Sequence, residues 1–411
     1  MSTRTLVPTL TLAAALALAG CGGGPQPGAP SPESGAAASS TAGVPADSLL
    51  APVVAADGKV MPPPPLPLRA ASFPAYAERT LKSGAHLIVV RNDEQPVASV
   101  DLVLRAGTAD DLPGLPGVAD MVAELLDKGT ATRSAKEVAE GIDFVGGRLS
   151  ANASADYMSV GVTVLTDFLD TGLALLSDVV MRPTFPQDEL ETARARELSS
   201  LQLELSQPGA VARRRFLAEL YGDHPYGALP TPASVKAITH DDLVAYHDAY
   251  FTPDDALFVV AGDVDPDDVA RRIDESFAGW SGTAATPPRR AAPPERTRSE
   301  LVFVNKPGSV QAVINVGQLV PSAAGSDRVS FDVMNQVLGG GYTSWLNNIL
   351  RAQKGWTYGA GSGAAERLDE GYFSASTQTR NEVADSALAT MLELLDRIRT
   401  QPVPAGDLEQ A

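Results

Sequence analysis

Four histidines, one cysteine, two carboxylates a helical turn apart and a run of three glycines are the residues whose types and spacing invite a chemical reading. His240 and His247 share an expected helix and fall on roughly one face. Two turns separate them, about 10 Å, too far to chelate one ion together. His86 opens an expected strand and His224 stands in a turn before Pro225. All four histidines therefore read as structural. Asp120 and Glu124 read as a solvated helix face. Gly339-Gly340-Gly341 lacks the Lys-Ser/Thr of a phosphate loop and a buried strand before it. Cys21 is the only cysteine, which excludes an intrachain disulfide and a cysteine-based zinc site. What precedes it is informative. Arg4 supplies a positive region, Leu6 to Leu18 is an apolar run too short to span a bilayer stably, and Leu18-Ala19-Gly20 presents small residues to a peptidase. A cysteine directly after them is the lipobox pattern, in which the thiol takes lipid before cleavage. Gly22, where aspartate would be a signal for inner-membrane retention, leans towards the outer membrane.

The elements that would position these residues follow from composition and periodicity. Residues 1–20 are read as a lipoprotein signal peptide and 21–75 as a disordered Pro/Gly/Ala-rich tether, reaching roughly 40 Å as a flexible chain. A net charge of -18 argues against nucleic acid as a partner, because phosphates would be repelled. Globular composition begins near Tyr76. Strands are expected at 86–91 and 97–105, then a two-proline loop and a helix over 117–128. That helix carries Val118, Met121, Val122, Leu125 and Leu126 as one apolar stripe. Ser134 and Glu137 form a capping box for a second helix. A strand pair at 147–153 and 157–165 follows, then helices over 166–181, 186–206, 208–221 and 240–250, and a strand at 256–262. Residues 281–299 read as a linker. After it the opening order recurs: strand 300–305, a Lys-Pro-Gly turn, strand 310–318 and helix 326–338. The fold expected is α+β and duplicated, with domains at 76–280 and 300–411, each a sheet packed with helices. The second copy is about 110 residues against about 205 in the first and reads as incomplete, by the usual size of a domain.

Two stretches carry a family resemblance. One runs from Gly114 to Thr130 and ends Lys128-Gly129-Thr130. The other runs from Leu338 through Gly339-Gly340-Gly341-Tyr342-Thr343-Ser344-Trp345 and Arg351 to Tyr358-Gly359. Both resemble the insulinase, or pitrilysin, family of zinc metallopeptidases, and the likeness covers nearly everything from 78 to 411, including Tyr221 to Gly227. Active members carry H-x-x-E-H on the first of these helices, two zinc-binding histidines around a general base. Counting back from Lys128, the three positions hold Asp120, Ala123 and Glu124, so both ligands and the base are missing. The third ligand is a glutamate near 195–205. Glu197 and Glu204 lie there and read as exposed helix charges.

Arg351 and Tyr358 match the family's arginine–tyrosine pair, which faces the zinc across a cleft from the second domain. The local reading agrees: helix 343–353 should end at Gly355, and the reversal brings a guanidinium and a phenol to one side. Such donors can stabilise an oxyanion. The resemblance gives Gly339, Gly340 and Gly341 a part in substrate binding, and Trp345 departs from the arginine usual in relatives. The family includes heterodimers in which one subunit holds the zinc and the other the Arg–Tyr pair, and this chain resembles the second. The resemblance thus implies a non-catalytic subunit of a periplasmic zinc endopeptidase. It would bind no cofactor itself, partner a zinc-motif subunit, act on extended peptides and be tied to a membrane by its lipid. The alternative is a pseudo-enzyme scaffold or peptide-binding protein of the same fold.

Overall fold

A computed structural model describes residues 53–54, 60–61, 72–286, 290–322 and 328–411. The chain divides into two units, Met1–Ser72 and Phe73–Ala411. In the first, β1 (Val53–Val54) pairs antiparallel with β2 (Val60–Met61). This ladder interrupts the stretch expected to carry no secondary structure. The signal peptide, Cys21 and the polyproline run after Met61 lie outside the described residues.

The second unit opens with β3 (Ala77–Thr80), β4 (His86–Arg91) and β5 (Val97–Leu104). Helix α1 (Val118–Leu125) follows, entered through Gly117 at φ 110°, a left-handed conformation that favours glycine. Its stripe of Val118, Met121, Val122 and Leu125 is fully buried, as the periodicity requires. Next come α2 (Ala135–Phe144), with both halves of the Ser134–Glu137 capping box formed, and the hairpin β6 (Arg148–Ala153) and β7 (Met158–Leu165). Then follow α3 (Leu169–Met181), α4 (Gln187–Ser206), α5 (Pro208–Tyr221), α6 (Pro232–Ala237), α7 (His240–Tyr250), β8 (Leu257–Gly262) and α8 (Pro266–Ser276). The sheet order is β3-β4-β8-β5-β7-β6, antiparallel except where β8 lies parallel to β4. Alternation on β5 sends Ala98, Val100, Leu102 and Leu104 into one core with α1 and α3.

The second half repeats this plan. β9 (Gln311–Val320) leads to α9 (Arg328–Asn335), which widens into a π-helical turn over Gln336–Gly340. α10 (Trp345–Asn347) continues likewise as a π-helical segment over Asn348–Gln353. The hairpin β10 (Thr357–Ala365) and β11 (Gly371–Arg380), α11 (Ala384–Thr400) and α12 (Ala405–Gln410) follow. The order β10-β11-β9 matches β6-β7-β5, and a 3-10 turn precedes α11 as one precedes α3. This is the α+β duplication expected from the repeat.

One expectation fails. Residues 300–305 form no strand. Leu301 and Phe303 are 81% and 85% exposed, and no strand among the described residues lies beside them. Their counterpart β4 is held on both sides, by β3 and by β8. Alternating apolar residues do not make a strand unless a neighbour takes up the backbone hydrogen bonds.

Candidate functional site

Arg351 lies in the π-helical segment that ends at Gly355, whose φ of 64° provides the reversal. The N–H groups of Gly355 and Trp356 take the carbonyls of Arg351 and Leu350. The chain then enters β10 with an irregularity: Thr357 pairs with Thr379, but the next paired residue is Ala360, with Thr377. Tyr358 and Gly359 are the bulged residues. The Thr357 hydroxyl donates to the Gly359 carbonyl at 2.7 Å and accepts from its N–H at 3.0 Å, while the Thr377 hydroxyl donates to the same carbonyl at 3.0 Å. A bulge bends the strand and re-aims a side chain. Here it leaves Tyr358 92% exposed.

Both residues border one groove of about 790 Å³. Its floor is one face of the second sheet, with Val313 and Asn315 on β9 and Ser374, Ser376 and Gln378 on β11. One wall is α5, through Gly209, Arg213 and Phe216, and the other is the segment from Gly340 to Arg351. The Arg351 guanidinium lies 4.6 Å from the centre of the Tyr342 ring, a cation–π contact. Asn347 braces the wall, its amide donating to the Tyr342 carbonyl at 2.6 Å. Gly340 and Gly341 border the groove, but Gly339 does not. A Cβ at Gly339 would stand 2.4 Å from the Ser362 backbone nitrogen, so this glycine lets β10 approach the turn and has no free face. Trp345 is buried, donates to Asp407 at 2.8 Å and is covered by the Arg397 guanidinium at 3.9 Å. Arg213, the groove's other cation, escaped sequence reading because nothing local marks a residue on α5 as facing a sheet a hundred residues further on.

In the first half, the residues at the motif position are engaged in other ways. Asp120 lies exposed on α1. Ala123 is buried in the core, and Glu124 is paired with Arg196 at 2.9 Å. Glu197 is raised by burial and by the charges of Asp120, Glu124 and Glu204, and Glu204 pairs with Arg214 at 3.4 Å. With no histidine among them and two of the carboxylates engaged by arginines, these residues do not fit zinc. Among the described residues no group of three or more His, Cys, Asp or Glu is placed to hold a metal ion. Three histidines are tied into the fold. His247 meets the Val180 carbonyl at 2.8 Å and stacks on Phe251, and burial lowers its pKa. His240 meets the Thr184 carbonyl at 3.2 Å. His224 accepts from the Tyr226 N–H at 3.2 Å, and burial lowers its pKa too. His86 is exposed at the start of β4.

A duplicated α+β unit thus carries Asp120, Ala123 and Glu124 on its first helix and presents Arg351 and Tyr358 to a groove in its second half. Residues 87–228 match the profile of Insulinase (Peptidase family M16), and residues 237–411 that of the Peptidase M16 inactive domain. The chain belongs to peptidase family M16 and covers a pair of its domains. It is 28% identical over 313 residues to an uncharacterized zinc protease of Mycobacterium leprae, covering 74% of this chain and 69% of that one. The crystal structure of a peptidase M16 inactive domain from Pseudomonas fluorescens is similar with a TM-score of 0.76 at 25% identity, covering 82% of each chain. That of a protease from Helicobacter pylori gives 0.77 at 23% identity, covering 82% of this chain and 83% of that one, a likeness of fold alone.

Proposed function

We propose that this chain is the non-catalytic subunit of a periplasmic, insulinase-family zinc endopeptidase. It is anchored by lipid on Cys21, with the outer membrane favoured by Gly22. It binds extended peptides in the groove between α5 and the second sheet. Arg351 and Tyr358 then meet a zinc-bearing subunit across the peptide and hydrogen-bond the charge that develops as a carbonyl is attacked. The observation that carries this reading is the bulge in β10, which spends two residues of a regular hairpin to hold a tyrosine in solvent beside an arginine. A surface phenol needs no such device.

The test is to co-purify the chain with a zinc-motif partner and follow cleavage of a quenched peptide. Tyr358→Phe removes one hydroxyl and keeps the ring; Arg351→Ala removes the cation. Losing one such donor costs about 10²–10³ in turnover, roughly 2.7–4 kcal/mol. Both variants should assemble normally and cut at that reduced rate. A Tyr358→Phe complex cutting at the wild-type rate would remove the catalytic half of the proposal. The pseudo-enzyme reading, which the stacking of Arg351 on Tyr342 favours, would then stand.

A further inference from the structure

The charge of the groove is at odds with the charge of the molecule. The whole chain carries -18, yet among the described residues the only charged side chains bordering the groove are Arg213 and Arg351, and no aspartate or glutamate does. The two stand on opposite walls. On α5 the neighbours of Arg213 are neutralised: Arg214 pairs with Glu204 at 3.4 Å, and Arg215 pairs with Glu219. Among the described residues Arg213 has no acidic partner, and Arg351 has only the Tyr342 ring. The first turn of α5 contains no acidic residue, and Gly209 presents that turn to the groove. The floor between the cations consists of hydroxyl and amide side chains and one valine. We infer that the groove selects extended peptides carrying aspartate or glutamate side chains, with Arg213 and Arg351 as the two carboxylate-reading residues.

The chemistry supports two separated sites rather than a general attraction. A guanidinium offers a planar pair of donors that matches the two oxygens of a carboxylate, and such bonds are stronger than neutral ones. A groove of about 790 Å³ is the size of a site for a few residues of a peptide. Basic peptides, which the net charge alone would favour as ligands, meet two arginines here that have no acidic partner among the described residues.

This inference rests on the peptide-binding part of the proposed function, and the experiment separates the two. The full chain is titrated with a short fluorescent peptide of alternating Glu and Ala, amidated at its C-terminus, and with the Gln counterpart, amidated and free. The wild type should prefer the amidated Glu peptide by about tenfold or more, from the added strength of charge-assisted bonds, and the preference should shrink with salt. Arg213→Gln and Arg351→Gln should each lower that preference. Arg213→Lys should restore part of it. Arg215→Gln, on the same helix but outside the groove, should change nothing. Equal affinity for the amidated Glu and Gln peptides would overturn the acid selectivity and leave peptide binding intact. A free Gln peptide that binds as well as the amidated Glu peptide would overturn the side-chain assignment in favour of the chain terminus. A preference unaffected by Arg213→Gln would overturn the role of that residue. Binding of none of the peptides would overturn both this inference and the reading beneath it.

Discussion

Asp178 shows how much a single side chain can hold. It is fully buried on α3 and receives hydrogen bonds from the hydroxyls of Thr130 and Thr132, each at 2.6 Å, and from Arg133 at 2.6 Å and Arg182 at 2.9 Å. It thereby ties down the loop that follows α1. Burial alone would raise its pKa, but the four donors outweigh burial and lower it to about 2. The sign of the pH effect follows. The folded pKa is below the unfolded value of 3.8, so the stabilisation is complete above about pH 4 and is lost as pH falls towards about 2. Asp178→Ala would leave the buried Thr130 hydroxyl without its acceptor while Arg133 and Arg182 still reach solvent, and should cost about 1–3 kcal/mol, read as a lowered denaturant midpoint at pH 7. Asp178→Asn should flatten the stability profile between pH 4 and pH 2, and an unchanged profile would mean that other carboxylates dominate there. At the same scale, Tyr358 and Arg351 differ in how they are held: the tyrosine by a pinned bulge, the arginine by an aromatic ring.

Helices in this chain begin where short-range chemistry tells them to. Thr239 accepts from the Asp242 N–H at 3.3 Å, and the Asp242 carboxylate accepts from the Thr239 N–H at 2.8 Å, closing a capping box ahead of α7. α7 in turn buries Tyr246, whose hydroxyl donates to the Gly107 carbonyl at 3.0 Å. Thr239→Ala should cost about 1 kcal/mol, the usual worth of such a cap, and lower the thermal midpoint without altering the folded circular dichroism spectrum. A substitution with no effect on the midpoint would show that tertiary packing of α7 makes the cap redundant. Strands obey a different rule. β4 and residues 300–305 have similar apolar content, but only β4 has neighbours, and only β4 is a strand.

Across Phe73–Ala411 the two halves meet at a charged hub. Arg290, from the connecting segment, donates to Asp110 at 2.9 Å, to Asp369 at 2.9 Å and to Asp156 at 3.4 Å, with the Tyr226 hydroxyl alongside. Asp110 follows β5, Asp156 is in the β6–β7 turn and Asp369 is in the β10–β11 turn, so one guanidinium joins both repeats. Tyr221 adds a bond to the Glu370 carbonyl at 2.9 Å. Arg290→Ala leaves three carboxylates facing one another and should destabilise by about 3–5 kcal/mol. Hydrogen exchange should quicken first in the β10–β11 turn, and protection equal to wild type there would rule the hub out as the seam. For the whole precursor the expectation is attachment through Cys21. Cys21→Ser should abolish labelling by radioactive palmitate in cells, and label retained on that variant would refute the lipobox reading.

The amino-acid sequence by itself determined whatever depends on near neighbours. The apolar stripe of α1, the Ser134 cap and the reversal at Gly355 all depend on residues a few positions apart, and all appear as expected. The absence of zinc-binding residues at 120, 123 and 124 is likewise a matter of residue identity. Helices α6 and α8 also carry a local start signal, since Thr231 and Asp265 each stand before a proline at the first helical position. Tertiary structure alone decided the rest. Whether 300–305 is a strand depends on a partner far along the chain. That Gly339 packs against β10 while Gly340 and Gly341 stay in the groove depends on an approach between distant segments. Arg213 meets the second sheet, and Arg290 gathers three carboxylates, only because the two repeats are packed together. Helical periodicity and capping act over one or two turns, whereas pairing, grooves and charge hubs are made by residues that only the folded chain brings into reach.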